Sequence, residues 1–309
     1  MFASKQLVRF FVTTPSSWNS SKALLAKLRK KTGYSFANCK KALDKHNNDA
    51  EQAEKWLHEQ AQALGWSKAT NVGNRKTTEG LVAVIVNKNH GAMVELNCET
   101  DFVARNSSFQ TLIQMIAKSC VSVVPEVCGS NNSVTKELLD GSKLSSLSAP
   151  DGKTLADHVA LNIGLLGENM TLKRAVLVST KDDILLSGYS HPSPKEQNEA
   201  LLGKYGAIVA FNSKDQQPLS DEQIKLGRQL CQHVIGMNPK SIGNNETDKP
   251  QDNADDETVM IYQEYLLDPE TKVEAVLQEG NVNVVDFVRF ECGETDVVTE
   301  DVSAARAQA

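Results

Sequence analysis

A change in hydrophobic spacing near residue 80 constrains the fold of this chain more than any other feature. The run GLVAVIVNKNHGAMVELNC contains two β-rich segments, Leu81–Val86 and Ala92–Cys98, joined by polar residues and by Gly91, which can supply a positive φ. Helical spacing follows, because apolar residues recur on one face at Phe109, Leu112, Ile113, Ile116 and Cys120. The pattern predicts a β-hairpin followed by a helix that starts near Ser107.

A similar unit recurs in the second half of the chain. The runs DDILLSGYSHPS and LLGKYGAIVAFNS predict two strands, and QIKLGRQLCQHVIG predicts the helix that follows them. A further helix, a loop at residues 167–169 and a strand lie between the two units. Each half is too small to bury its own sheet face, so we predict a duplicated α+β core with halves at 81–178 and 179–294.

The segment before the core has helical spacing. Residues 21–66 predict three short helices, the first ending at Thr32-Gly33-Tyr34 and the third starting at Asn48, with Glu51 completing a capping box. Their apolar faces contain Leu24, Leu25, Leu28, Phe36, Cys39, Leu43, Ala53 and Leu57. So small a bundle has a thin core and is expected to dock on something else. Residues 67–80 are polar and basic, and we interpret them as a linker.

Composition excludes several functional classes. The net charge of −6 and pI of about 5.6 do not indicate nucleic-acid binding by the surface as a whole. No apolar run approaches the roughly 20 residues of a membrane-spanning helix. The six cysteines and six histidines are dispersed without CxxC or HExxH spacing, which favours a reducing compartment and argues against a metal site. With no phosphate-binding glycine loop and no GxSxG motif, we predict neither a cofactor nor an enzyme.

The first twenty residues are basic, rich in hydroxyl groups and free of acids. They include Lys5 and Arg9, and the first acidic residue of the chain is Asp44. This composition is typical of a mitochondrial transit peptide. An ordinary disordered terminus is the alternative, and a secretory signal is less favoured because Arg9 interrupts a short apolar stretch.

The connector between the first hairpin and its helix, NCETDFVARNSSF, places Phe102 among acidic and polar residues. Glu99 and Asp101 would share one face of a strand and could form a pair of catalytic carboxylates, although Arg105 is the one flanking group that could assist them. Simple solvation of the two acids is a second interpretation. Neither catalysis nor solvation of the acids accounts for a large apolar side chain at Phe102. Burial of its ring accounts for it better, whether in this protein's own core or in a partner.

The motif TDFVARN, residues 100–106, resembles the signature of the elongation factor Ts family. KLRKKTGYSFANCKKAL resembles the N-terminal module of that family, and GENMTLKRA, GYSHP, GKYGAIVAF and LLDPETKVEAVL resemble later blocks. Together they cover nearly all of residues 22–294, and the basic start makes the chain most similar to the mitochondrial members. The resemblance implies nucleotide exchange on the GTPase elongation factor Tu in the mitochondrial matrix, without catalytic residues, metal, cofactor, membrane or direct nucleic-acid contact.

The resemblance also implies which residues contact Tu. Phe102 is expected to insert between helices of the Tu G domain, with Asp101 beside it near the magnesium ion. The full set of expected contacts is Thr100, Asp101, Phe102, Val103, Lys40, Leu166, Gly167 and His191.

Two departures from the family pattern bear on assembly and contact. Bacterial relatives carry a helical coiled-coil excursion that pairs two Ts molecules, whereas residues 239–259 here are short, acidic and polar, and are expected to be a solvated insertion. A one-to-one complex with Tu is therefore expected. Phe36-Ala37-Asn38 replaces a methionine-rich step of the N-terminal module. Residues 295–309 are expected to form a loose tail.

The N-terminal helices leave one alternative function open. The Thr32-Gly33-Tyr34 loop between helices also resembles a ubiquitin-associated (UBA) module. Taken alone, residues 21–66 would then make the chain a ubiquitin-binding adaptor, with Tyr34 in the binding loop.

Overall fold

A computed structural model describes residues 17–32, 36–128, 133–192, 199–244 and 247–294. Contacts divide the chain into two units, Met1–Leu64 and Gly65–Ala309. Helices and antiparallel strands are both abundant, so the predicted α+β class is confirmed. Of the predicted transit peptide, residues 1–16 lie outside the described residues, as do Gly33 and Tyr34 of the predicted loop and the predicted tail.

Three helices form the first unit: α1 (Ser17–Thr32), α2 (Phe36–Lys45) and the beginning of α3 (Ala50–Val72). Their buried faces meet in a small core of Leu28, Cys39, Ala42, Leu43, Ala53 and Leu57. The N-cap of α3 is Asp49, whose carboxylate accepts hydrogen bonds from the amides of Glu51 and Gln52, both at 3.0 Å. The prediction of Asn48 as the cap was wrong, because Asn48 has a left-handed φ of 63° in the turn before the helix.

The predicted linker is partly helical. Helix α3 continues to Val72, through the first residues of the predicted linker at 67–80. Ala69 and Val72 explain this extension, since they lie three residues apart on one helical face and pack against the hydrophobic core of the second unit.

The second unit contains the remaining elements, in chain order: β1 (Glu79–Asn87), β2 (His90–Cys98), α4 (Asp101–Ala104), α5 (Ser107–Cys128), β3 (Val134–Asp140), α6 (Gly141–Ser146), α7 (Leu155–Leu166), β4 (Met170–Thr180), β5 (Leu185–His191), β6 (Leu201–Gly203), β7 (Tyr205–Ser213), α8 (Asp221–Met237), β8 (Glu264–Tyr265), β9 (Asp268–Lys272), α9 (Val273–Glu279) and β10 (Val282–Glu291). The strands form a five-stranded sheet in the order β3-β4-β2-β1-β6, a three-stranded sheet in the order β10-β7-β5 and the β8–β9 hairpin.

The β1–β2 hairpin has the predicted position and a tighter turn than expected. Asn87 pairs with His90, so Lys88 and Asn89 form the turn, and Lys88 supplies the positive φ of 50°. Gly91 does not, because it lies within β2. Its missing side chain instead makes room for the other sheet, where Leu186 and Ile208 would lie 3.2 and 3.3 Å from an added Cβ.

The two larger sheets pack face to face, and helices cover their outer faces. The core between the sheets combines residues of both halves, including Val84 and Met93 from the first sheet and Ile208 and Phe290 from the second. A Cβ on Gly206 would lie 2.7 Å from Val84 and 2.8 Å from Met93, so glycine is required for this close approach. Helix α5 packs on the first sheet and α8 on the second, which gives a four-layered α/β/β/α arrangement.

The two halves of the core are less separate than a boundary at residue 178 suggests. Strand β6 follows β5 in the chain but pairs with β1 in the first sheet, where Val82 lies opposite Gly203. By pairing with β1 it covers an edge that would otherwise present unpaired backbone groups.

Helix α5 has the length and apolar composition of a membrane-spanning helix. Its predicted face is nevertheless buried in the core of the second unit, against the first sheet. Within the described part of the chain, α5 is therefore a core helix.

The acidic insertion at 239–259 is mostly exposed, as expected of a solvated insertion, and its two ends pair with each other. The amide of Lys240 donates to the carbonyl of Thr258 at 2.8 Å, and Ser241 forms a parallel bridge with Val259. Glu257 is buried because its carboxylate accepts hydrogen bonds from the amides of Gln251 and Val259, at 2.9 and 2.7 Å. The regular structure described within the insertion is one 3-10 turn, Ala254–Asp256.

Candidate protein-contact site

The connector between β2 and α5 folds into the one-turn helix α4. Thr100 is its N-cap, in an extended conformation, and the Thr100 hydroxyl accepts a hydrogen bond from the amide of Val103 at 3.4 Å. Val103 and Ala104 are buried in the core and attach the helix to the sheet below it. Phe102 lies on the opposite side of α4 and is 79% exposed.

The exposure of Phe102 decides between the two forms of burial that the sequence left open. Its ring does not enter this protein's own core, and it is the most exposed of the large apolar side chains among the described residues. An isolated exposed apolar residue is common, but here it projects from a short helix whose neighbours are fixed. The geometry therefore favours burial in a partner.

A pair of hydrogen bonds joins α4 to the loop that follows α7. Thr100 donates to the carboxylate of Glu168 twice, from its amide at 3.1 Å and from its hydroxyl at 2.8 Å. We call these two bonds the Glu168 clamp. In the opposite direction, the amide of Asn169 donates to Glu99 at 2.7 Å. Each loop thus supplies a carboxylate that binds the backbone of the other.

The clamp brings together most of the residues expected at the site. Helix α7 ends at Leu166, and Gly167 adopts a left-handed φ of 82° while its amide donates to Ile163 at 2.9 Å. This turn places Glu168 next to Thr100. Leu166 and Gly167 therefore lie two residues and one residue, respectively, before Glu168, which is bonded to α4.

Glu99 and Asp101 do not form a carboxylate pair. Strand β2 ends at Cys98, so the two residues do not share a strand face, contrary to the interpretation as paired catalytic acids. Glu99 binds the amide of Asn169 and lies 3.4 Å from Arg75. Asp101 instead forms an exposed ion pair with Arg105, four residues on, at 2.5 Å.

Cys98, at the end of β2, is not a nucleophile. Burial, with a smaller contribution from the Glu168 carboxylate, raises the pKa of its thiol to about 12. The thiol therefore stays protonated at physiological pH, and it donates to the carbonyl of Thr100 at 3.2 Å.

Two of the expected contact residues lie elsewhere. His191 is exposed at the end of β5, with its ring centroid 6.4 Å from that of Tyr205. Lys40 is exposed on α2, in the first unit. Neither belongs to the group of residues that the Glu168 clamp joins.

The sequence analysis did not identify Glu168 or Asn169 as part of the site. They lie 68 and 70 residues from their partners Thr100 and Glu99, and no local pattern marks a contact of that length. The one indirect signal was Gly167, because a glycine directly after a helix often adopts a left-handed conformation that turns the chain back along the helix.

A groove of about 430 Å³ lies between α3, α6, α7 and the start of β4, and titratable side chains are absent from its lining. Among the residues that the structure describes, no three His, Cys, Asp or Glu side chains are grouped to hold a metal ion. Aromatic side chains are enriched at surfaces that contact other macromolecules, so a binding protein is the class that the exposed ring of Phe102 favours.

Comparisons with known proteins agree with the resemblance seen in the motifs. Residues 8–67 match the family model described as "Elongation factor Ts, mitochondrial, N-terminal", and residues 99–251 match "Elongation factor TS". The mitochondrial elongation factor Ts of Aedes aegypti is 51% identical over 278 residues, covering 89% of this chain and 89% of that protein. That of Drosophila melanogaster is 48% identical over 290 residues (93% and 90%), and that of Homo sapiens 45% over 285 residues (91% and 86%).

The chain belongs to the elongation factor Ts family. The relatives named above are mitochondrial, and we assign this chain to the mitochondrion on that basis. A ubiquitin-binding adaptor is not favoured, because both family models and the relatives point to elongation factor Ts over most of the chain.

Proposed function

We propose that this protein is the guanine-nucleotide exchange factor of mitochondrial elongation factor Tu and acts in translation elongation in the matrix. Membership of the elongation factor Ts family gives the partner, and the exposed ring of Phe102 is the observation that supports contact at α4. The exchange requires no covalent step, so the protein needs neither catalytic residues nor a cofactor.

The mechanism requires that this protein binds Tu more tightly when the phosphate and magnesium region of Tu is distorted than when it is not. A GTPase of this kind holds its nucleotide through the phosphates and a bridging magnesium ion. Phe102 inserts between helices of the Tu G domain, and Asp101 approaches the magnesium side. Transfer of a phenylalanine ring from water to an apolar site contributes about 1.5–3 kcal/mol. This energy offsets a displacement of Tu helices that weakens the hold on GDP.

The remaining contacts add to this effect. Each 1.4 kcal/mol changes an equilibrium about tenfold, so Phe102 alone accounts for a change of roughly ten- to hundredfold. Thr100 precedes the ring, and Leu166 and Gly167 lie beside the loop that holds α4. Val103, also expected at the contact, is buried in this protein's own core, so its side chain supports α4 instead. His191 and Lys40 contribute contacts from their separate positions on β5 and α2.

We further propose a one-to-one complex with Tu. Pairing of two Ts molecules in bacterial relatives uses a helical excursion, and residues 239–259 lack the length and apolar seam for one. The regular structure described within this insertion is the 3-10 turn Ala254–Asp256, which supports the same conclusion. Neither a membrane nor direct contact with nucleic acid is part of the proposed function.

Two finer features of the fold are also proposals. The helices α1 to α3 are interpreted as a UBA-like module that provides an additional surface for Tu. The two hairpin-and-helix units, β1–β2–α5 and β5–β7–α8, are interpreted as a duplication.

The experiment is stopped-flow release of a fluorescent GDP from mitochondrial Tu, with and without this protein. Phe102→Ala is expected to slow the stimulated release about tenfold or more, because the ring that offsets the helix displacement is gone. Stability should be unchanged, since the ring is 79% exposed in the isolated chain.

Val127→Ala is the matched control. Val127 is also an exposed apolar residue, 44% exposed, but it lies near the far end of α5, about 30 Å from the start of that helix. The Val127→Ala variant should stimulate GDP release from Tu at the wild-type rate. A wild-type rate for Phe102→Ala would contradict the proposed role of the ring.

A further inference from the structure

We propose that Glu168 is a positioning residue, which holds α4 in the orientation that presents Phe102 to the partner. This inference rests on the proposed function. Glu168 does not need to touch the partner for this role, because it acts through its two hydrogen bonds to Thr100.

The need for such a residue follows from the size of α4. A helix of four residues is too short to be stable by its own hydrogen bonds. Its N-cap bond, from the amide of Val103 to the hydroxyl of Thr100, is long at 3.4 Å. Burial of Val103 and Ala104 fixes one side of the helix, and a second attachment is required to fix its direction.

The Glu168 clamp supplies that second attachment. One carboxylate oxygen binds the amide of Thr100 and the other binds its hydroxyl, so both the backbone and the side chain of the N-cap are held. Charge-assisted hydrogen bonds of this kind are stronger than neutral ones. Phe102, two residues away, has few contacts of its own at 79% exposure, so its direction depends on the backbone that carries it.

The sheet and the loop after α7 fix the position of Glu168. Cys98 at the end of β2 pairs with Met170 at the start of β4. The loop after β2 and the loop before β4 therefore lie side by side at the same end of the two strands. The reciprocal bond from the amide of Asn169 to Glu99 holds the second loop in register. A side chain at position 168 can therefore reach Thr100 without rearrangement.

Three substitutions at one position separate geometry from charge. Glu168→Ala removes the clamp and is expected to slow the release of fluorescent GDP from mitochondrial Tu by about three- to tenfold. Glu168→Gln keeps the length, accepts from the amide of Thr100 and donates to its hydroxyl, so it should recover the rate to within about twofold of wild type. Glu168→Asp keeps the charge but is one methylene shorter and should resemble the alanine variant.

A double mutant shows whether Glu168 acts through Phe102. In the Phe102→Ala background, Glu168→Ala is expected to cause a smaller loss than in the wild type, because the ring is gone and Asp101 is the main contact of α4 left to position. A purely structural role would lower the rate by the same factor in both backgrounds. Hydrogen exchange at the amide of Thr100 gives an independent measurement, and it should be faster in Glu168→Ala and Glu168→Asp than in Glu168→Gln.

The possible results are distinguishable. If Phe102→Ala is slow but Glu168→Ala matches the wild type, or if the two losses multiply, the positioning role is overturned and the proposed function stands. If Phe102→Ala itself exchanges GDP at the wild-type rate, the contact at Phe102 fails and the role of Glu168 fails with it.

Discussion

At the scale of single residues, the ion pair between Glu95 and Arg174 is the most demanding feature of the core. Glu95 is fully buried and Arg174 is 5% exposed, with Nε and the carboxylate 2.7 Å apart. The second carboxylate oxygen accepts from the amide of Gly293 at 2.8 Å, and the guanidinium lies 4.2 Å from the ring centroid of Phe290. The pair therefore joins β2 and β4 to the end of β10.

We predict that Arg174→Ala lowers the free energy of unfolding by about 3–5 kcal/mol, because it leaves the Glu95 carboxylate buried without a cation. Urea denaturation measures this change. Lys143→Ala is the control, since Lys143 is exposed and lies 3.8 Å from Glu137, a surface pair worth about 0–1 kcal/mol. Equal, small losses in the two variants would show that the Glu95 environment relaxes to admit water.

At the scale of elements, the periodic segments were predictable and the short ones were not. The hairpin β1–β2 and the helices α5, α7 and α8 are long enough for apolar spacing to identify them. The three residues of β6 and the two of β8 are too few to show a period. Strand β6 depends on β1, which is distant in sequence, and β8 on its hairpin with β9.

The candidate site likewise has one part that the local sequence predicts and one part that depends on the fold. The motif TDFVARN marked α4 from the sequence, because the motif is local. The resemblance implied that Phe102 faces a partner, although the residues alone left burial in this protein's own core open. The bonds to Glu168 were not predictable, because they depend on how the loops after β2 and α7 meet. Exposure is a property of the folded chain, and an apolar residue in a polar connector is equally compatible with a buried position.

The β8–β9 hairpin has a pH-sensitive attachment at His233 on α8. The imidazole Nδ1 accepts from the amide of Leu266 at 3.3 Å, and Nε2 lies 3.0 Å from the side-chain oxygen of Gln263. This arrangement requires neutral histidine, since a protonated Nδ1 cannot accept. Burial, partly opposed by the bond to Gln263, lowers the pKa of His233 to about 4.

Because the folded-state pKa of His233 is lower than the unfolded value of about 6.5, the unfolded chain binds more protons between these two values. The stabilisation is complete above about pH 6.5 and is lost as the pH falls towards 4. We predict a contribution of about 2 kcal/mol lost between pH 7.5 and 5. Urea denaturation at the two pH values measures it.

His233→Gln isolates this contribution from that of the other titrating groups. Glutamine cannot be protonated in this range, so the variant should lose about 2 kcal/mol less than the wild type over the same interval. If the free energy of unfolding changed equally with pH in the two proteins, His233 would have the same pKa in the folded and unfolded chains, and the prediction would be wrong.

At the scale of the whole molecule, the four layers make the two halves of the core one structural unit. The core between the sheets takes residues from both halves, and β6 crosses from one half into the sheet of the other. The surface that carries Phe102 is therefore supported by elements from both halves of the second unit.

The binding of an exchange factor to Tu and the binding of nucleotide to Tu are thermodynamically linked. If this protein weakens GDP binding to Tu by some factor, GDP weakens the binding of this protein to Tu by the same factor. We predict a factor of at least about tenfold, measured by calorimetric titration of Tu with this protein in the absence and presence of saturating GDP. Light scattering should give the complex the mass of one Tu and one copy of this protein, because residues 239–259 provide no coiled-coil seam for pairing.

Phe102→Ala is the informative variant in these titrations. The proposed mechanism places the ring of Phe102 in contact with distorted Tu. The substitution should therefore weaken binding to nucleotide-free Tu more than binding to GDP-bound Tu, and so reduce the effect of GDP on affinity. Equal affinity of the wild-type protein for free and GDP-bound Tu would exclude exchange by this mechanism, however tight the complex, since a ligand that does not distinguish two states cannot shift their equilibrium.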